Sequence, residues 1–293
     1  VKTGLIGLGA MGMHMARNLH RGGLLAGCWN RSPDKAQALA QETGCVAAAS
    51  PAALARLCEA LVLCVSADAD VLAVVAALLP AARPGLLVVD CSTVSAVTAR
   101  TAAAQLAGAG ADFVDCPVSG GVEGARDAAL AMMAGGSAEA FARALPVLSK
   151  LGRTITHMGP TGAGQAAKAT NQIMCAGIVQ AVAEAMAFAK AEGLPLDKLI
   201  DTLGKGAGSS WYFVNRAPFM ARGSYPAGFR VRLHDKDLRI CRDMAARHGV
   251  QLPVVEATLA EYAQLIAAGH GDEDISTIFR LKDALFTYGG AQR

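Results

Sequence analysis

A chain of 293 residues, 53% hydrophobic and 17% charged, is long enough for one large domain or two ordinary ones and too apolar to be disordered. Its formal net charge of +3, with no basic run interleaved with aromatics, argues against a nucleic-acid partner. The eight cysteines form no Cys-x-x-Cys pair and no cysteine-histidine cluster of zinc spacing, so no metal site is predicted and a reduced, cytoplasmic protein is expected. No uncharged run reaches membrane-spanning length, and the first residues have neither signal- nor transit-peptide character.

Residues 3–7 are a short apolar run ending in glycine, and Gly7-Leu8-Gly9-Ala10-Met11-Gly12 then reads Gly-x-Gly-x-x-Gly. Helical periodicity continues through Met15, Ala16 and Leu19. In this strand-turn-helix context the glycines serve a tight turn, close approach of a pyrophosphate and close packing of helix on strand. The helix N-terminus offers its amides to phosphate. Residues 24–29 read as the second strand, ending at Asn30-Arg31-Ser32-Pro33. An acid that binds the ribose 2′-hydroxyl is expected at this point. Asn30 instead does not repel a 2′-phosphate, Arg31 can pair with one or stack on adenine, and Ser32 adds a hydroxyl donor. The prediction is NADP(H) in preference to NAD(H), with a plain turn and a solvated arginine as the structural alternative.

Helices are predicted over 34–44, 51–59 and 71–79, with a short strand at 45–48 and a buried strand at 60–65. Val65 and Ser66 fall at that strand's carboxyl edge, where open parallel sheets bind ligands. Strand 86–90 runs into Ser92 and Thr93 at the next edge, where their hydroxyls either meet ligand or cap a helix starting near residue 95. That helix covers 98–108, and strand 112–116 leads into a loop over 117–125. Within the loop, Ser119-Gly120-Gly121 combines a hydroxyl with backbone amides that can turn inward on a carboxylate, unless it is simply a turn between strands. A strand at 129–135, a helix at 138–150 and a strand at 154–158 complete a sheet domain.

Residues 162–192 predict one long helix without internal proline. Lys168 lies near its start, with Asn171 and Gln172 three and four residues on, so an ammonium and two carboxamides share a face. Such a face suits a site that binds an oxygen atom and moves a proton. Beyond it a helix is expected over 195–203 and a glycine- and serine-rich loop over 205–210. The aromatics Trp211, Tyr212, Phe213 and Phe219 that follow either wall a pocket or pack a core. A helical run beginning at Lys236, helices over 253–268 and 275–285, and an unstructured tail over 287–293 finish the chain.

With these segments placed, the chain resembles the β-hydroxyacid dehydrogenase family over nearly its whole length. The glycine motif with Met15-Ala16-Arg17-Asn18-Leu19 is similar to the family's cofactor motif, and Asp115-Cys116-Pro117-Val118-Ser119-Gly120-Gly121 to its substrate motif. Gly162-Ala163-Gly164-Gln165-Ala166-Ala167-Lys168 with Asn171 resembles the catalytic motif, and Lys236-Asp237-Leu238 the C-terminal one. The resemblance implies an α/β fold with an N-terminal Rossmann dinucleotide-binding domain (1–160), a long interdomain helix (161–192) and an all-helical C-terminal domain (193–293). It implies an NAD(P)-dependent oxidoreductase interconverting a short β-hydroxy acid and its semialdehyde, with 3-hydroxyisobutyrate as leading substrate. Tartronate semialdehyde and succinic semialdehyde are the alternatives. A non-catalytic nucleotide-binding protein is the alternative of a different class, and the presence of both Lys168 and the Ser119 loop counts against it.

By the same resemblance Lys168 is the catalytic lysine, and Ser119, Gly120 and Gly121 hold the substrate carboxylate. Ser92 and Thr93 would lie near nicotinamide and substrate, and Lys236 would approach the cofactor. Much of the family has asparagine four residues after the lysine. Here Gln172 stands there and Asn171 one earlier, which leaves open which amide meets substrate. Trp211 and Phe229, where they reach the pocket, would favour a small apolar branch. A homodimer or homotetramer is the expected assembly.

Overall fold

The computed structural model describes residues 1–289. The first part alternates strand and helix: β1 (Thr3–Ile6), α1 (Gly12–Arg21), β2 (Leu25–Trp29), α2 (Pro33–Thr43), β3 (Val46–Ala47), α3 (Pro51–Leu57), β4 (Ala60–Leu63), α4 (Asp68–Leu78), β5 (Leu87–Asp90), α5 (Ala96–Ala107) and β6 (Asp112–Asp115). It continues with β7 (Val118–Ser119), α6 (Gly121–Arg126), β8 (Leu130–Gly135), α7 (Ala138–Leu148) and β9 (Gly152–Gly159). Among the described residues the helices that follow are α8 (Ala163–Ala191), α9 (Leu196–Leu203), α10 (Trp211–Arg222), α11 (Val231–Ala246), α12 (Pro253–Ala267) and α13 (Phe279–Gly289), with no further strand.

Among the described residues the strands form one nine-stranded sheet, ordered β3-β2-β1-β4-β5-β6-β8-β7, with β9 on β8. The run β3-β2-β1-β4-β5-β6 is parallel throughout, and β8 joins β6 antiparallel through Asp115 and Gly135. The 3-2-1-4-5-6 order reverses direction between β1 and β4, and open sheets receive ligands at that reversal. Strand alternation supplies both faces. Leu5, Val62 and Val89 enter one buried cluster with α1, α2 and α7, while Ile6, Leu61, Leu63 and Val88 enter another with α3, α4 and α5.

The chain divides into two compact units, Val1–Lys168 and the part from Ala169 onward. The second has its own core, to which α8 contributes Ala176, Val179, Ala183, Met186 and Ala187 at helical spacing. By length and composition alone, α8 is apolar enough to cross a membrane, with a mean hydropathy of 1.5 in its most apolar window. Of that window 44% is buried, and the buried stripe in the second unit's core is part of its apolar surface.

Several boundaries differ from the sequence expectation. Residues 121–126, expected in a loop, form the short α6, and α10 forms where only aromatic positions stood out, with Ser210 accepting from the Phe213 amide. α4 starts at Asp68, whose Oδ1 accepts from the Ser95 amide and the Thr98 hydroxyl. α11 begins at Val231 rather than Lys236, because the Val231 and Arg232 amides bond to the carbonyls of Glu273 and Gly271. Residues 275–285 split into a 3-10 turn, Ile275–Ile278, and α13. The expected tail is helical as far as Gly289, and residues 290–293 lie outside the described part.

Candidate active site

The three glycines of the first loop stand in three different settings. Gly7 has φ +96°, and a Cβ there would meet the Cys64 carbonyl oxygen at 2.3 Å. A Cβ on Gly12 would fall 1.9 Å from the Gly7 carbonyl oxygen, so that glycine is fixed by packing of α1 on β1. Gly9 has open space around it, with nothing within 4 Å. The chain itself makes no demand for glycine at position 9, and the space there is open to a ligand. Gly9 and Ala10 are exposed at the mouth of the loop, Leu8 is buried beneath, and no side chain caps α1 after Met11. An uncapped helix start beside an open glycine suits a pyrophosphate, so these residues fit a dinucleotide.

Asn30, at the end of β2, is largely occupied by the loop. Its Oδ1 accepts from the Leu8 amide at 2.8 Å and its Nδ2 donates to the Ser32 carbonyl at 3.0 Å. It therefore braces the glycine loop, a role the sequence did not show. The Arg31 side chain is 85% exposed and meets Asp70 at 3.2 Å. Such a surface pair contributes only about 0–1 kcal/mol and is readily given up for a phosphate. The Ser32 side chain makes no capping bond to α2, which begins just after it.

Across the sheet reversal, Ser92 is buried and its Oγ accepts from the Val65 amide at 2.9 Å, while Ser66 is exposed. Ser92 is thus no helix cap; Ser95 caps α5, accepting from the Thr98 amide. Thr93 is half-buried beside it. The Ser92 carbonyl accepts from Gln165 Nε2 at 2.9 Å, and Gln165 Oε1 accepts from the Val94 amide at 3.1 Å.

Gln165 belongs to α8, and its start is held by a second group. Asp115, fully buried at the end of β6, accepts from the Gly162 amide at 2.7 Å on Oδ1 and from the Gln165 amide at 2.9 Å on Oδ2. Burial pushes the Asp115 carboxyl up to about 6, and the amides of Gly162 and Gln165 oppose that shift. Bonds to a charged group contribute roughly 1.5–3 kcal/mol each, so they offset much of the desolvation without erasing it. No side chain fits between helix and sheet here: a Cβ on Gly164 would meet the Met133 carbonyl oxygen at 2.3 Å. Lys168, on the next turn of α8, is buried. Also in the first unit, Ser119 pairs with Ala131 on β8, and Gly120 and Gly121 both hold positive φ, +130° and +63°. Only glycine adopts that succession without strain.

The second unit holds the other predicted residues. Gln172 is buried; its Nε2 donates to Asp237 Oδ2 at 2.6 Å and its Oε1 accepts from Asn171 Nδ2 at 2.8 Å. Asp237 Oδ1 meets Lys236 Nζ at 3.0 Å. Asn171 is half-exposed, and its Nδ2 also points to Cys175 Sγ at 3.5 Å. Below it His234 Nε2 donates to the Gln172 carbonyl at 3.3 Å, so Nδ1 accepts from the Tyr262 hydroxyl at 2.9 Å. Phe229 packs against His234, with ring centroids 5.3 Å apart. Trp211 is 60% exposed and carries the Arg216 guanidinium 5.1 Å from its ring centroid. Gln165, Asp237, His234 and Tyr262 went unassigned in the sequence because their partners are remote in the chain. Asp115 and Asp237 stood inside quoted motifs but had no visible partner.

Residues 2–159 match the family described as the NAD binding domain of 6-phosphogluconate dehydrogenase. Residues 162–282 match the one described as NAD-binding of NADP-dependent 3-hydroxyisobutyrate dehydrogenase. An L-threonate dehydrogenase of Cupriavidus necator is 35% identical over 99% of this chain and 98% of its own length. An NAD-dependent L-serine dehydrogenase of Pseudomonas aeruginosa is 32% identical over 95% of this chain and 96% of its own. The crystal structure of a 3-hydroxyisobutyrate dehydrogenase from Salmonella typhimurium superposes with a TM-score of 0.84 at 35% identity, covering 95% of this chain and 99% of that one. The sheet reversal that carries the glycine loop and the helical unit after it thus each match dehydrogenases that use a pyridine dinucleotide, and the chain, an NAD(P)-dependent oxidoreductase, belongs to the β-hydroxyacid dehydrogenase family.

Proposed function

We propose that the chain interconverts a short β-hydroxy acid and its semialdehyde, with 3-hydroxyisobutyrate as leading substrate and NADP(H) as preferred cofactor. One observation carries this reading: the hydrogen bonds through Asp115 and Gln165 tie the start of α8, and so Lys168, to the two segments that lead to Ser119 and Ser92. A base held against a carboxylate-binding loop is what a hydroxy acid needs.

The Ser119 hydroxyl and the Gly120 and Gly121 amides hold the carboxylate. Lys168, as the neutral amine, accepts the hydroxyl proton during oxidation, and its ammonium returns a proton to the carbonyl oxygen during reduction. Bound NAD(P) supplies the hydride chemistry. Asn171, one turn further along α8, orients the substrate, and Gln172 orients Asn171. Arg31 and Ser32 take the 2′-phosphate.

A second reading rests on Asn171 and Phe229. With Asn171 Nδ2 directed at Gln172 and Cys175, its Oδ1 is the acceptor for a substrate donor. Phe229 is spent on packing against His234, which removes part of the reason to favour an apolar branch. A β-hydroxy acid with a polar substituent, such as L-serine or L-threonate, then competes with 3-hydroxyisobutyrate.

The test is a panel of 3-hydroxyisobutyrate, L-serine, L-threonate, tartronate semialdehyde and succinic semialdehyde, read by nicotinamide absorbance. A tenfold preference corresponds to about 1.4 kcal/mol of transition-state discrimination. A tenfold lead for L-serine or L-threonate selects the second reading, and no turnover of any member defeats both. Lys168→Ala should lower kcat by about 10²- to 10⁴-fold with dinucleotide affinity unchanged. Retained kcat in the folded variant removes Lys168 from the chemistry.

A further inference from the structure

Two cysteines outside the catalytic residues lie in contact. Cys28 Sγ and Cys45 Sγ are 3.8 Å apart. Cys28 is fully buried on β2, and Cys45 is half-exposed just before β3, whose Val46 and Ala47 pair with Gly27 and Cys28. The left-handed turn at Gly44, φ +74°, ends α2 and brings the chain back to β2. A disulfide needs a sulfur separation near 2.05 Å, so closure takes about 1.8 Å of travel shared by two side chains. The register pairs Cys28 with Ala47, two residues beyond Cys45, so the bridge is diagonal and its closure also draws on the backbone before β3.

We propose that Cys28 and Cys45 are a reversible oxidation site whose closure to a disulfide weakens dinucleotide binding. The bridge would span the ends of a loop containing Asn30, Arg31, Ser32 and all of α2. Cys28 lies two residues before Asn30, the side chain that braces the Leu8 amide at 2.8 Å. Drawing the end of β2 toward Cys45 strains that brace and the glycine loop behind it.

The chemistry needs a peroxide. The Cys45 sulfur, the more accessible of the two, attacks one peroxide oxygen; an S–O bond forms, the O–O bond breaks, and the departing hydroxide takes a proton to leave as water. The Cys28 sulfur then attacks the Cys45 sulfenic sulfur, forming S–S and breaking S–O, and its proton leaves with the second water. Two thiols and one hydrogen peroxide give one disulfide and two waters, with two electrons passing from sulfur to oxygen. The hydrogen bond between the two sulfurs favours the Cys45 thiolate, and that bond together with burial holds the Cys28 thiol above its ordinary value. A dithiol reductant reverses the reaction.

Hydrogen peroxide treatment followed by trypsin digestion without reduction tests the site. The expected product is peptide 22–31 joined to peptide 36–56, two hydrogens lighter than their sum and absent in Cys28→Ser and Cys45→Ser. NADPH fluorescence titration of the oxidised protein should show at least a threefold higher Kd, restored by dithiothreitol and absent in Cys45→Ser, whose half-exposed position spares the fold. Oxidation of Cys45 without the cross-link, or linkage of other cysteines instead, overturns the site. An unchanged Kd in fully cross-linked protein overturns its effect on binding. Neither readout uses a substrate, so failure here is distinct from failure of the substrate assignment.

Discussion

Gln172 Nε2 donates to Asp237 Oδ2 at 2.6 Å, and the other oxygen of that carboxylate holds Lys236 at 3.0 Å. One buried acid thus fixes the amide four residues after Lys168, while the amide three residues after it stays half-exposed. Asn171→Ala should lower kcat/KM for the hydroxy acid by about 10- to 100-fold, equal to about 1.4–2.7 kcal/mol of lost interaction, with Tm unchanged. Gln172→Ala should lower Tm as well, because a bond to a buried charge is worth roughly 1.5–3 kcal/mol. Steady-state kinetics beside thermal melts separate the two; a Tm loss in Asn171→Ala alone would reverse their roles.

Gly9 and Gly12 should fail differently. Gly12→Ala puts a methyl 1.9 Å from the Gly7 carbonyl oxygen and should destabilise the fold outright. Gly9→Ala meets nothing within 4 Å and should melt as the parent does. It should nonetheless raise the dinucleotide Kd at least tenfold, by filling the space kept for the pyrophosphate. Unchanged Kd in Gly9→Ala would move the pyrophosphate elsewhere.

Arg31→Ala should raise KM for NADP much more than for NAD, by about tenfold in the ratio. Its guanidinium now meets Asp70 at 3.2 Å, an exposed pair whose loss costs little stability. Parallel measurements of kcat/KM with both cofactors check this, and an equal loss for both would assign the 2′-phosphate contact to another group.

The pH response of stability should carry the mark of Asp115. Its carboxyl is raised to about 6 in the fold, against an ordinary 3.8. A group raised by folding contributes stability that is fully present below its unfolded value and is lost as pH climbs through its folded value. The contribution of Asp115 should therefore decline between about pH 4 and pH 6, by on the order of 3 kcal/mol. Asp115→Asn lacks this titration, so the stability difference between parent and variant should shrink as pH rises across that window. Denaturant melts at several pH values measure it; a flat difference would mean that the amides of Gly162 and Gln165 cancel the desolvation.

Local patterns made much of the architecture legible in the sequence. Apolar runs such as residues 60–65 mark central strands because both faces are covered, and the first glycine motif announces its turn because its constraints come from residues 7 to 12 and the adjoining strand. What stayed hidden depends on remote partners. Nothing near Gln165 in sequence shows that it reaches Ser92 and Val94, or that its amide meets Asp115, and nothing near Val231 shows that Gly271 and Glu273 complete its helix. Nothing near Asn30 in sequence shows that its Oδ1 accepts from the Leu8 amide, because Leu8 lies across a strand pair.

The strand order also separates two kinds of reading. Arg31 follows β2, and Ser119 lies on β7, which continues the line of β6 along β8, so β1, β4 and β5 lie between them. At nearly 5 Å per strand and four spacings, the two positions are on the order of 20 Å apart across the sheet. Changes that far apart, without shared partners, combine additively in free energy. Substitutions that retune nucleotide choice at Arg31 should therefore multiply cleanly with substitutions that retune acid choice at Ser119. The scaffold can be redirected on one axis while the other stays as it is.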